Sequence, residues 1–269
     1  MIELFEQDIK TIDRQSSKGN QLKWKCNDKW YKADFTGYEG LAEYTVSHLL
    51  ELSTLSKNEF ITYDLEEIRY KRNFYNGAYS KDFLTDDWQI ITLERLFHNK
   101  YNTSLYKAIW SISDTSERFN FLRQQIKNIT GLNDFGIYLN KIFTLDAFFL
   151  NEDRHFHNIA VLMNSKGEFD YCPIFDNGAC LLSDTTMDYP LNTDVFEMIQ
   201  ESRSKTISLD FDEQLDISEN AVGINLHFNF TKKDVEKIVD STDYYDSQIK
   251  NRVKEILFHQ IDKYSYLFT

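Results

Sequence analysis

The most informative stretch of this 269-residue sequence is a polar octet, Asn151-Glu152-Asp153-Arg154-His155-Phe156-His157-Asn158, followed further on by Phe175-Asp176-Asn177-Gly178. Asp153 and Asn158 are five residues apart, and Asp176 lies eighteen beyond Asn158. Phosphoryl transfer needs few parts, and this set supplies several. One carboxylate must orient the attacking hydroxyl and accept its proton. A second must hold a cation across the phosphates, and an amide or carboxylate oxygen completes the metal shell. Asp153 suits the first role, Asp176 the second and Asn158 the third. Each residue also has an ordinary structural reading: Asp153 could cap a helix, Asn158 could stabilise a turn, and Asp-Asn-Gly is a common turn signal. Taken jointly, with two strands between them, the chemical reading is the stronger.

Those residues need elements to position them. Before the octet, Leu132, Phe135, Leu139, Ile142, Phe143, Ala147 and Leu150 recur at three- and four-residue steps, which predicts a buried helix over 132–150. After it, 159–163 and 168–175 predict two strands joined by Asn164-Ser165-Lys166-Gly167. That hairpin is expected to return the chain so that Asp176 arrives opposite Asp153 and Asn158, with Gly178 permitting a sharp turn. Upstream, 21–26 and 29–35 alternate as strands around Asn27-Asp28, a pair suited to a tight turn. In the second run Trp30, Lys32 and Asp34 share one face. A helix is predicted over 40–52, a strand over 60–75 with a turn at Asn76-Gly77, and a strand over 87–96. Helices are predicted over 116–128 and 247–264, and Thr231 with Asp234 marks a further helix start. Residues 183–230 give no clear reading.

The pattern Asp-x-x-x-x-Asn, then a hairpin, then Asp-x-Gly resembles that of protein kinases. Its form here, Asn-x-Asp-Arg-His-x-x-Asn with Pro173-Ile174-Phe175-Asp176 after the hairpin, is similar to the HipA-like Ser/Thr kinases. The likeness is strongest from about 139 to 182. It implies an α+β, two-lobed kinase-like fold, with a strand-rich lobe over 1–97 and a mainly helical lobe over 98–269, and it implies ATP and magnesium. It also implies that Lys32 meets the ATP phosphates, with Glu43 as its ion-pair partner and Glu39 as a rival. The loop over the phosphates resembles Ser16-Ser17-Lys18-Gly19-Asn20-Gln21, whose backbone amides would cradle them; Ser16 or Ser17 would be an autophosphorylation site. Leu93-Glu94-Arg95-Leu96 resembles the hinge, where the backbone of Glu94 and Leu96 would bond the adenine edge. His155 would lie beside the nucleotide, His157 has no role assigned, and Arg154 would pair with a carboxylate in the cleft. A His-x-His pair alone is weak zinc evidence. The best-known HipA proteins carry an additional N-terminal subdomain. This sequence begins almost at the phosphate loop, so that subdomain is expected to be missing and a toxin–antitoxin role is less firmly implied than catalysis.

Composition bounds the rest. Hydrophobic residues make up 42% and aromatics 15%, enough for a packed core. The formal net charge is −13, which repels phosphate backbones and anionic lipid. Nucleic acid and a membrane are therefore not expected as partners, although a locally basic cleft could still take ATP; the kinase resemblance implies a protein substrate. Phosphatidylinositol kinases share the run Asp153-Arg154-His155-Phe156-His157-Asn158-Ile159, so a lipid or small-molecule acceptor is the alternative; a non-catalytic nucleotide-binding module is a third reading, opposed by the intact set of three. Cys26, Cys172 and Cys180 do not form a disulfide framework, and no signal peptide or membrane-spanning run is legible, so a cytoplasmic location is expected.

Overall fold

The computed structural model describes residues 1–9, 21–85 and 87–269. The expected phosphate-loop residues Ser16, Ser17, Lys18, Gly19 and Asn20 lie outside them. The described chain is α+β and forms two compact units, neither continuous in sequence: residues 1–83, 176–202 and 228–269, and residues 84–175 and 203–227. The expected boundary near residue 97 falls inside a helix.

The first unit is built on a five-stranded sheet, β1 (Ile2–Leu4), β2 (Lys23–Cys26), β3 (Lys29–Ala33), β4 (Asp64–Tyr70) and β5 (Asn73–Lys81), ordered β1-β4-β5-β3-β2. β1 runs parallel to β4 and the other pairs are antiparallel. Asn27 and Asp28 both take positive φ, so the two-residue turn closes β2 on β3 as predicted and pairs Lys23 with Lys32. One face buries Leu4, Trp24, Tyr31, Ala33, Ile68 and Tyr70. The opposite face carries Lys32, and α1 (Glu39–Leu50) packs on the sheet. Helices α6 (Val195–Glu201), α8 (Lys232–Asp240) and α9 (Ser247–Lys263) complete this unit. Thr231 and Asp234 form the capping box that starts α8.

Two expectations here are corrected. Asn76-Gly77 is not a turn: it lies within β5, and the chain reverses instead after Tyr70, where Lys71 has φ +57°. Gly77 serves close packing, because a Cβ there would lie 2.2 Å from the Lys32 carbonyl oxygen on β3. The predicted strand over 60–75 is therefore two strands.

The second unit holds a three-stranded sheet, β6 (Trp88–Thr92), β7 (Ala160–Asn164) and β8 (Phe169–Tyr171), with β7 central. The strand predicted over 87–96 ends at Thr92, whose hydroxyl accepts from the Arg95 N–H and starts α2 (Leu93–Tyr101). Around the sheet lie α3 (Leu105–Trp110), α4 (Thr115–Thr130), α5 (Phe135–Phe149) and α7 (Phe211–Val222). α5 is buried almost all round, which explains why its apolar residues extend beyond one stripe. Asn140 on α5 donates to Ser218 on α7 at 2.9 Å and accepts from the Asn225 N–H at 3.0 Å, which fixes the two helices by buried polar bonds. Leu150, in the left-handed region at φ +57°, ends α5 and opens the polar octet. Among the described residues no helix is long and apolar enough to cross a membrane.

Candidate active site

In the first unit three ionised side chains from distant parts of the chain meet. Lys32 Nζ on β3 lies 2.5 Å from Glu43 Oε1 on α1 and 2.7 Å from Asp176 Oδ1. Glu43 is buried, and its other oxygen accepts from the Asn177 N–H at 2.9 Å. Each Glu43 oxygen thus holds one group: the lysine, and the backbone that carries Asp176. Burial works against a charge on Lys32, but Asp176 first and Glu43 second outweigh it and keep the amine well above the ordinary lysine pKa. The Tyr63 ring lies beneath the ammonium, 5.0 Å from its centroid, and burial raises the phenol's pKa so that it stays neutral.

The rivalry between Glu39 and Glu43 has a geometric answer. Glu39 turns to the loop before α1 and accepts from the backbone N–H groups of Phe35, Thr36 and Gly37 at 2.7–3.2 Å. Glu43 is the partner of Lys32. A second cation, Lys23, lies 3.8 Å from Asp176 Oδ2. The sequence reading did not single it out, yet the two-residue turn at Asn27-Asp28 already pairs Lys23 with Lys32. Gln21, the described end of the expected phosphate loop, donates to the Ala33 carbonyl at 3.0 Å.

Asp176 itself has φ +63°, in the left-handed region that Asp tolerates better than most residues. Gly178 does not provide the sharp turn expected of it: its φ is not positive, and a Cβ would meet Glu39 at an ordinary 3.4 Å.

In the second unit the octet is braced from inside. Arg154 is buried; its Nε donates to Asp146 Oδ1 on α5 at 3.0 Å, and its Nη1 donates to the carbonyls of Asn158 at 3.3 Å and Phe175 at 2.7 Å. Its carboxylate is therefore in the helix core, not the cleft position expected. Burial pushes Asp146 up to about 6 despite the Arg154 charge beside it. Asn158 Nδ2 donates to the Asp153 backbone carbonyl at 2.8 Å, which commits the amide nitrogen and leaves Oδ1 as the end able to meet a cation. His155 Nε2 lies 3.9 Å from Asp153 Oδ1, and the exposed His157 ring stands edge-on to His155.

The hinge role of Glu94 and Leu96 is corrected. Both lie in the first turns of α2, the Glu94 N–H donates to the Phe156 carbonyl at 3.0 Å, and Leu96 is buried. The Glu94 carboxylate accepts from the Leu105 and Tyr106 N–H groups at 3.1 and 3.0 Å and so caps α3. With the Glu94 N–H taken by the Phe156 carbonyl and Leu96 buried in the helix, this backbone has no free edge to offer adenine.

No family model matches the sequence, and no curated protein matches it. Solved structures do match. The proinflammatory kinase CtkA of Helicobacter pylori superposes with a TM-score of 0.65 at 18% identity, covering 97% of this chain and 95% of that one. The chain has the HipA-like kinase fold. The HipA toxin–antitoxin protein of Shewanella oneidensis MR-1, solved with HipB and operator DNA, superposes with a TM-score of 0.50 at 12% identity. That alignment covers 90% of this chain and 59% of HipA.

A HipA-like kinase fold implies a divalent cation, and the donor set suits magnesium better than zinc. Among the described residues no three His, Cys, Asp or Glu side chains gather as a metal cage. Magnesium needs no such cage, since it takes one or two protein oxygens and fills its octahedron with phosphate and water. In the first unit Asp176, with a quarter of its side chain exposed, is a donor of that kind; in the second unit, taken by itself, the Asn158 amide oxygen is another.

Proposed function

We propose that this protein is an ATP- and magnesium-dependent protein Ser/Thr kinase that transfers the γ-phosphate to a protein hydroxyl and also phosphorylates itself. The observation that carries the proposal is the Lys32–Glu43–Asp176 constellation, in which a buried ammonium is held between two carboxylates from distant segments. A purely structural ion pair would not need a third charge. Burying charge is costly, and replacing such groups by apolar ones is often neutral or stabilising. Persistence of three charges at one point, beside a second lysine, favours a polyanionic ligand.

In this reading Lys32 binds the phosphates as a point charge, and Glu43 positions Lys32. Asp176 and the Asn158 amide oxygen are the magnesium ligands. Bound magnesium supplies charge neutralisation on the phosphate oxygens. Asp153 orients the acceptor hydroxyl and takes its proton, and Arg154 holds the octet in shape from below. The phosphate loop is assigned to Ser17, Gly19, Asn20 and Gln21, and the self-phosphorylated residue to Ser16 or Ser17. The acceptor is assigned as a protein because the net charge of −13 opposes an anionic lipid surface.

The experiment is transfer of labelled γ-phosphate to a mixed protein extract and, in parallel, to phosphatidylinositol vesicles, with and without magnesium. Magnesium-dependent labelling of protein supports the proposal. Labelling confined to lipid overturns the choice of acceptor, and no labelling of either overturns the kinase reading.

A further inference from the structure

A pocket of about 350 Å³ lies wholly within the second unit, and one of its walls is the octet itself: His155, Phe156 and His157 line it. The facing walls carry Tyr106 and Trp110 from α3 and Lys205 and Leu209 from the segment before α7. The peptide that forms this wall is the one that runs between Asp153 and Asn158. A molecule seated here is held against the loop to which phosphoryl transfer is assigned.

The segment carrying Lys205 is fastened to that loop on both sides of Asp153. The Arg203 N–H donates to Glu152 Oε1 at 2.9 Å, and the Thr206 hydroxyl donates to the Arg154 carbonyl at 2.6 Å. Its own shape is held by Gln214 Oε1, which accepts from Ser204 Oγ at 3.0 Å and the Ile207 N–H at 3.1 Å. Ser204 and Thr206 are buried, so the strap is anchored in the core while Lys205 between them is only partly covered. Four polar bonds to buried or part-buried partners are more than a passing loop requires; they fix where the Lys205 side chain starts relative to Asp153.

The pocket lining carries one carboxylate, Glu94, and one ammonium, Lys205. Its carboxylate, Glu94, has both oxygens engaged in capping α3. Lys205 has no ion-pair partner among the described residues. The chain as a whole is strongly acidic, but charges beyond about 8 Å are screened at physiological salt, and of the two charged lining groups Lys205 is the one whose donors are open to a ligand. Apart from Ser104 and the two histidines the remaining lining is aromatic and aliphatic, with Tyr106 and Leu209 each about half exposed.

We infer that this pocket is the acceptor-binding subsite: it seats a protein-substrate segment close to the phosphorylated Ser or Thr, with Lys205 pairing a substrate Asp or Glu and Tyr106, Trp110 and Leu209 covering an adjacent apolar side chain. The inference rests on the kinase reading above and adds to it the class of substrate, an acidic one. Lys205 is a specificity-determining residue here and takes no part in the chemical step.

The test is a positional-scanning Ser/Thr peptide library phosphorylated by the full chain, by Lys205→Ala and by Lys205→Glu, with Asp153→Ala as the blank. The wild type should favour Asp or Glu over Lys at one position near the acceptor by roughly tenfold or more, as close charge pairs do. Lys205→Ala should flatten that position alone, and Lys205→Glu should turn its preference to Lys or Arg. The reversal separates a direct contact from a damaged fold, which would lower all positions together. Peptide labelling with no acidic preference, or a preference that neither variant moves, overturns this inference and leaves the kinase reading standing. No labelling of any peptide by a chain that does label the protein extract overturns this inference alone, and no labelling of peptides, extract or lipid overturns both.

Discussion

Lys32 and Asp176 are 144 residues apart in sequence and 2.7 Å apart in space, and Glu43 closes on the same ammonium at 2.5 Å. Removing Glu43 takes away more than one bond. It strips a buried cation of one counter-charge and leaves the Asn177 N–H without its acceptor. Glu43→Ala should lower stability by about 3–5 kcal/mol, the range for breaking a buried pair from one side. Lys32→Met in the same background should restore part of that loss, with a coupling of about 1–3 kcal/mol. Urea unfolding of the two single variants and the double variant measures it. Strict additivity would show that the two side chains do not act on each other.

Asp146 gives a prediction in pH. Burial raises its folded pKa from the ordinary 3.8 to about 6, so between those values the native state binds the proton more tightly than the unfolded chain does. Stability then falls as pH rises through that window and levels off above it. The contribution is about 3 kcal/mol at most, from the size of the rise. Urea unfolding at intervals from pH 4 to 7 reads the slope, and Asp146→Asn should remove this component while lowering stability overall through Arg154. A slope that is unchanged in Asp146→Asn would refute the assignment.

Gly77 offers a test of packing within the five-stranded sheet. A Cβ there would sit 2.2 Å from the Lys32 carbonyl oxygen, a backbone atom that cannot swing aside. Gly77→Ala should therefore cost about 3 kcal/mol or more, at the upper end for overpacking. It should also weaken nucleotide binding by displacing β3. Gly167→Ala, in open space, is the control and should cost about 1 kcal/mol through its positive φ alone. Equal melting temperatures for the two variants would contradict this account of Gly77.

The parts that were legible in the sequence are those with strong local signals. The Asn27-Asp28 turn, the buried helix α5, the hairpin after the octet and the Thr231–Asp234 capping box each carry a local physical cause that the fold does not override. Asn76-Gly77 misled because glycine next to asparagine marks both a turn and a close backbone approach, and only the neighbouring strand decides between them. The run 87–96 read as one strand because β-branched residues continue to Thr92, where the helix begins with a threonine cap that also looks like strand. Residues 183–230 were opaque because α6 is short and α7 has a polar majority. Their start signals were present, however: Asp194 and Asp210 cap the first turns, each with a glutamate three residues on. For the candidate site, the pairing of Lys32 with Glu43 over Glu39 needed coordinates, since both glutamates are one turn apart on α1. The tie from Glu152 and Arg154 to residues 203 and 206 was invisible, because each bond pairs a side chain with a backbone group that every residue carries.

The most direct test of the central claim is γ-phosphate transfer by Asp153→Ala and Asp176→Ala, set beside calorimetry of magnesium–ATP binding to each. Both variants should lose roughly 10³-fold or more in transfer rate, since each removes several kcal/mol of transition-state stabilisation. Asp153→Ala should still bind magnesium–ATP, whereas Asp176→Ala should bind it weakly or not at all. Folded variants that transfer phosphate at the wild-type rate would contradict the account.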